Sequence, residues 1–132
     1  IEPFIGFVSD DEKLRLLNSA DLYVHASVAE LESLSSLEAL ACGLPCLISN
    51  SEASAASQFS LDRRLMFNAE DANDLAAKIN YWYEHSDELT STEMKKKASQ
   101  VASDYALEVS VDKYESLYKE VIEKKHSMNF PG

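Results

Sequence analysis

Ser27-Val28-Ala29-Glu30-Leu31-Glu32-Ser33-Leu34-Ser35-Ser36-Leu37-Glu38-Ala39-Leu40-Ala41-Cys42-Gly43-Leu44-Pro45 runs from the end of an apolar strand, through a polar loop, into a short helix that stops at a Gly-x-Pro break. The preceding Leu22-Tyr23-Val24-His25-Ala26 reads as the strand itself, which would bring the chain to the carboxyl edge of a parallel sheet. Ser33 or Ser35 suits the N-cap of a helix spanning about residues 33–42, with Leu34, Leu37, Leu40 and Ala41 turned inward. Gly43 supplies the left-handed stop and Pro45 prevents continuation. A helix that begins at the carboxyl edge presents free amides and the positive end of its dipole there, which favours an anion such as phosphate.

Two carboxylates bracket this anion site. Glu30 lies in the loop before the helix and Glu38 about one turn inside it. Carboxylates repel phosphate but accept hydrogen bonds from hydroxyls, a combination that suits a sugar nucleotide, whose hydroxyl-rich rings flank a pyrophosphate. The plain structural alternative is that Ser35 and Glu38 form a capping box, in which Glu38 only returns a bond to the Ser35 amide.

Outward from this stretch, strands alternate with helices, the pattern of βαβ units and a parallel sheet. Upstream, residues 5–8 read as a short buried strand, and Ser9-Asp10-Asp11 as the cap of a helix whose Leu14, Leu16 and Leu17 pack on the sheet. Downstream, residues 46–49 read as the next strand. Polar residues 50–58 follow at the same carboxyl edge as a second wall of the pocket, and residues 65–67 form a last short strand. From Asp71 the pattern is helical. Leu75, Ile79, Trp82 and Tyr83 mark one helix, while Met94, Ala98, Val101, Ala102 and Tyr105 mark another. Val111, Tyr114, Leu117, Tyr118, Val121 and Ile122 mark a third, before a frayed tail over residues 124–132. His25, late in its strand, is expected to hydrogen-bond structurally or to touch a substrate.

Glu30, seven residues, then Glu38 followed by Ala-Leu-Ala-Cys-Gly-Leu-Pro resembles the E-x7-E signature of retaining family 4 glycosyltransferases, E-x-F-G-L-x-x-x-E-A-M-A-C-G-x-P. Phe4-Ile5-Gly6-Phe7-Val8, Asp11-Glu12-Lys13-Leu14, Asp21 to Ser27 and Cys46-Leu47-Ile48-Ser49 are similar to that family's neighbouring motifs, so residues 4–50 carry the likeness. It implies the later part of a GT-B C-terminal domain: an α/β, partial Rossmann-like parallel sheet flanked by helices, with a helical C-terminal section. Residues 1–132 would be one truncated donor-binding domain of a two-domain enzyme that transfers a hexose, glucose by subgroup, with retention. By position Glu30 attends the transferred sugar, Glu38 the ribose, and the backbone of Ser33, Leu34 and Ser35 the diphosphate. Glu32 stands where the family has Phe, and Ser33 where it has Gly. Residues 30–34 and 50–59 are similar to bacterial glucosyltransferases acting on membrane lipids such as diacylglycerol or cholesterol. The donor implied is UDP-glucose or another nucleotide sugar, with no cofactor and no metal. The acceptor, a lipid or saccharide, would be held mainly by an N-terminal domain, and the parent would be cytoplasmic, at the inner face of the membrane. An Arg and Lys pair that stabilises the leaving diphosphate in such enzymes would precede Ile1, so the fragment alone is expected to be inactive. The rivals are a non-enzymatic α/β docking module and a sugar-nucleotide epimerase.

Composition narrows the field further. With 45% hydrophobic residues and only three Gly and three Pro, 132 residues can build a core rather than a disordered chain. A net charge of −11 counts against nucleic acid as a partner, and the run Lys95-Lys96-Lys97 reads as a solvated helix face. Cys42 and Cys46, four apart with no companion cluster, read as two reduced structural thiols rather than a metal or redox pair. Neither a leader nor a membrane span is expected. The chain opens inside what reads as a strand, so a longer parent is expected.

Overall fold

The computed structural model describes residues 2–29 and 33–127, which leaves Glu30 and Glu32 outside the described residues. Residues 1–102 form one compact unit and residues 103–132 a second. In the first unit, α1 (Asp10–Ser19) precedes β1 (Tyr23–His25), α2 (Leu34–Ala41), β2 (Cys46–Asn50) and β3 (Met66–Asn68), with two 3-10 turns, Ala55–Phe59 and Arg63–Leu65, between the last two strands. Then come α3 (Ala72–Glu84), α4 (Ser86–Leu89) and α5 (Thr92–Asp104). The strands are parallel in the order β1, β2, β3, with His25 opposite Ile48 and Ile48 opposite Met66. The expected α/β fold, a parallel sheet flanked by helices, is therefore the observed one.

Central β2 reads as an unbroken apolar run because both its faces are covered: residues 46–49 are all buried. Cys46 and Ile48 join Ala39 and Leu40 of α2, Phe59 and Ala98 of α5 in one core cluster. A second cluster gathers Leu65, Trp82, Leu89 and Met94. The stop of α2 follows from its sequence. Gly43 adopts φ 75°, its amide donates to Leu40 O and the Leu44 amide to Ala39 O, so the last carbonyls of the helix are satisfied by a Schellman turn.

Several expectations are corrected. Residues 5–8 form no strand, and Phe4, Ile5 and Phe7 are exposed. A strand exists through hydrogen bonds to a neighbour, and among the described residues none lies beside this run. In α2 the inward face is Ser36, Ala39 and Leu40, whereas Leu34 and Ala41 are exposed. At 100° per residue, both lie about 140–160° round the helix from Ser36. Leu14 and Leu16 are half exposed, and only Leu17 of α1 reaches the core. Tyr83 is exposed and Tyr81 packs instead, while Tyr105 is also exposed. The short helix α4 had no sequence counterpart.

In the second unit, α6 (Leu107–Ser127) continues to Ser127, past the expected start of fraying at residue 124. Residues 128–132 of that tail lie outside the described residues. The apolar positions Val111, Tyr114, Leu117, Tyr118, Val121 and Ile122 of α6 are all exposed.

Candidate functional site

Because all three strands are parallel, their carboxyl ends share one edge, and α2 starts there. The N-cap Ser33 lies against His25, the last residue of β1: Ser33 Oγ is 3.3 Å from His25 Nε2 and donates to Ser36 Oγ at 2.6 Å. Ser33 and Ser36 are fully buried and His25 nearly so. Burial of three polar side chains is tolerated here because each has a partner. Tyr23 stacks on the His25 ring at 6.1 Å, which steadies the imidazole from the strand side. His25 therefore takes the structural hydrogen-bonding role rather than an exposed one.

The loops after β1 and β2 are tied together at the same edge. Ser49 Oγ donates to Ser27 O at 2.6 Å, and Ser51 Oγ donates to Val28 O. These two serines, one late in β2 and one just past its end, anchor the strand-loop segment that leads into Glu30. Ser54 caps the first 3-10 turn, accepting from the Ala56 amide at 3.3 Å.

The first turn of α2 carries no side-chain cap from Ser33. Leu34 and Ser35 face solvent. The helix interior supplies the rest of its bonds: the Leu37 amide donates to Ser33 O, and the ladder continues from there. Of the sequence-selected residues, Ser33, Leu34 and Ser35 thus sit together at the carboxyl edge. Glu30 lies outside the described residues.

Glu38 is not consumed by a capping box with Ser35. Its Oε2 lies 3.1 Å from Lys13 Nζ of α1, with both side chains about half exposed. The hydrogen bond to the Glu38 carboxylate, and then its charge, hold the Lys13 ammonium above its ordinary pKa. The pair stands in a cleft of about 480 Å³ between α1 and α2, walled by Asp10, Leu14, Leu17 and Cys42. The pairing of Lys13 with Glu38 was not anticipated. The signal was present, since it shares a helix face with Leu17 four residues on, but nothing in the sequence says that α1 lies beside α2. Among the described residues a capping box is instead found at α1, where Glu12 N donates to Ser9 Oγ and Ser9 N to Glu12 Oε2.

Cys42 and Cys46 are both free thiols, as expected. Cys46 is buried under α2, and burial pushes its thiol up to about 12. Among the described residues no cluster of His, Cys, Asp and Glu could hold a metal ion, and no helix is long and apolar enough to cross a membrane.

A parallel sheet flanked by helices, with a helix start and polar loops at its carboxyl edge, defines a Rossmann-like domain. The family described as Glycosyl transferases group 1 matches residues 3–101, and the chain belongs to it. Among solved structures it is similar to the catalytic domain of cholesterol-alpha-glucosyltransferase from Helicobacter pylori, with 40% identity, a TM-score of 0.70, and 76% of this chain and 62% of that one covered. It is also similar to sucrose-phosphate synthase from Thermosynechococcus elongatus, with 25% identity, a TM-score of 0.69, and 92% of this chain and 30% of that one covered. The chain thus spans less than two thirds of the length of either neighbour. No curated protein matches it. The architecture is that of a GT-B C-terminal domain.

Proposed function

We propose that residues 1–132 are the donor-binding part of a retaining glycosyltransferase that moves glucose, or another hexose, from a nucleotide diphosphate sugar to a lipid or saccharide acceptor. The observation that carries the reading is the start of α2: at the carboxyl edge of the sheet, its N-cap serine is turned inward and its first turn lacks that side-chain cap. Amides of Ser33, Leu34 and Ser35 with the helix dipole would hold the diphosphate and stabilise it as it leaves, the electrostatic work that a metal does in other transferases. Glu38, half exposed beside Lys13, would accept hydrogen bonds from the ribose hydroxyls, and Glu30 would attend the transferred sugar.

The lipid acceptor is supported by the 40% identity to a cholesterol-alpha-glucosyltransferase catalytic domain. In this reading the acceptor is held mainly by an N-terminal domain of a cytoplasmic parent that works at the inner face of the membrane. UDP-glucose is the donor to test first. With the parent chain, product analysis should find an α-linked glucoside, with transfer undiminished by a metal chelator. Residues 1–132 alone should bind UDP weakly and transfer nothing. Turnover by the 132-residue chain alone would overturn the division of labour, and a β-linked product would overturn retention.

A further inference from the structure

Ser9, Ser54, Asp62 and Asp71 begin helices or 3-10 turns with extended backbones, ψ between 93° and 166°, and each side chain accepts a hydrogen bond from an amide of the turn that follows. Ser33 occupies the same kind of position at α2 and behaves differently: φ is −119°, ψ is 66°, and its side chain makes no cap bond. The hydroxyl is used elsewhere. With its proton directed to Ser36 Oγ at 2.6 Å, the hydroxyl accepts from His25 Nε2 at 3.3 Å in the tautomer that carries a proton there. Ser33 is 1% exposed, Ser36 0% and His25 8%. This is a buried arrangement that a serine at a helix start would otherwise leave in order to cap.

We infer that His25 is a positioning residue: with Ser36 it holds the Ser33 hydroxyl away from the first turn of α2 and so reserves those amides for the diphosphate. The inference rests on the diphosphate reading above. Without the Nε2 donor, Ser33 relaxes to the extended ψ of the other caps, and its hydroxyl accepts from the amide of Ser35 or Ser36. The protein then supplies its own competitor for the phosphate oxygens. A serine cap is worth enough to raise the dissociation constant roughly fivefold.

The test is calorimetry with UDP and with inorganic pyrophosphate on the 132-residue chain, together with amide hydrogen exchange at residues 34–36. In His25→Phe, which keeps the ring stacked on Tyr23 but removes the donor, UDP binding is expected to weaken about fivefold and exchange at Ser35 or Ser36 to slow. Adding Ser33→Ala removes the competing hydroxyl, so the double variant should recover binding to within about twofold of wild type and restore fast exchange. His25→Gln, which retains a donor, should bind as wild type does. Should His25→Phe not fold, Ser36→Ala takes its place, with the same weakening and the same rescue by Ser33→Ala. A His25→Phe chain that folds and binds normally overturns the inference, as does a double variant no better than the single, which is the result of a merely structural histidine. If wild type binds neither UDP nor pyrophosphate, the diphosphate reading itself fails and this one with it. Normal wild-type binding without rescue strikes only the role of His25.

Discussion

Replacing Glu38 by alanine separates recognition of hydroxyls from simple charge, because the two act with opposite sign. Glu38 is about half exposed and its partner Lys13 is equally open to water, so the fold should hardly register the change. Alanine is also the best helix former, and the thermal midpoint is expected to stay within about 3 °C of wild type. Binding should respond far more. A hydrogen bond to a charged acceptor is worth about 2 kcal/mol, so losing the carboxylate from the ribose weakens UDP roughly 30-fold. Against this, removing a negative charge and freeing Lys13 favours the diphosphate. Two unit charges about 8 Å apart in water interact by only about 0.5 kcal/mol, and salt reduces it. The net expectation is a loss of about tenfold for UDP. Inorganic pyrophosphate, which has no ribose, should bind Glu38→Ala as well as wild type or slightly better. Calorimetry with both probes at one ionic strength reads the ratio directly. If UDP binding is unchanged, or tightens in step with pyrophosphate, Glu38 does not hold the ribose.

Three further outcomes follow from the packing. Trp82 is fully buried, donates from Nε1 to Arg64 O at 2.9 Å and has the Arg64 guanidinium 5.1 Å above its ring, so Trp82→Ala should cost about 3–5 kcal/mol in denaturant unfolding. Arg64, bonded to Asp62, Tyr81 and Glu88, lowers the Asp62 carboxyl from 3.8 to about 2. A depressed carboxyl stabilises the fold above its ordinary value and loses that contribution as pH falls through the folded one. Wild-type midpoints should therefore drop between pH about 4 and 2, and Arg64→Met should flatten that part of the profile; an unchanged slope in thermal melts would show that the cluster is inert. The buried Cys46, with its thiol pushed up to about 12, should resist a thiol reagent at pH 8 while half-buried Cys42 reacts, as mass spectrometry of the modified peptides would show.

Local chemistry made part of this legible in advance. The buried run Cys46-Leu47-Ile48-Ser49 and the Gly43-Leu44-Pro45 stop each depend on neighbours a few residues away, and each appears where the sequence puts it; at the start of α3, where Asp71 and Asn73 both suit a cap, Asp71 takes it, accepting from the Asp74 amide at 2.9 Å. The same holds for the start of α2 at the carboxyl edge. What failed depends on distant partners. The apolar residues 5–8 were expected as a strand, but an apolar run becomes one only when another strand lies beside it. Lys13 meets Glu38 across 25 residues and Arg64 meets Glu88 across 24, and neither pairing leaves a mark in local spacing. Ser33 shows the limit most clearly. Its type and position, like those of Ser35, suit a cap, yet a tertiary neighbour, His25, and the inward-facing Ser36 claim the hydroxyl first.

The most direct measurement is the map of amide chemical-shift changes when UDP is added to the isotope-labelled 132-residue chain. The account predicts that the largest changes fall on Ser33, Leu34, Ser35 and Ser36, with smaller ones at Glu38 and Lys13. Changes centred instead on the opposite end of α2, around Gly43, Leu44 and the α1 terminus, or none at any concentration, would contradict it.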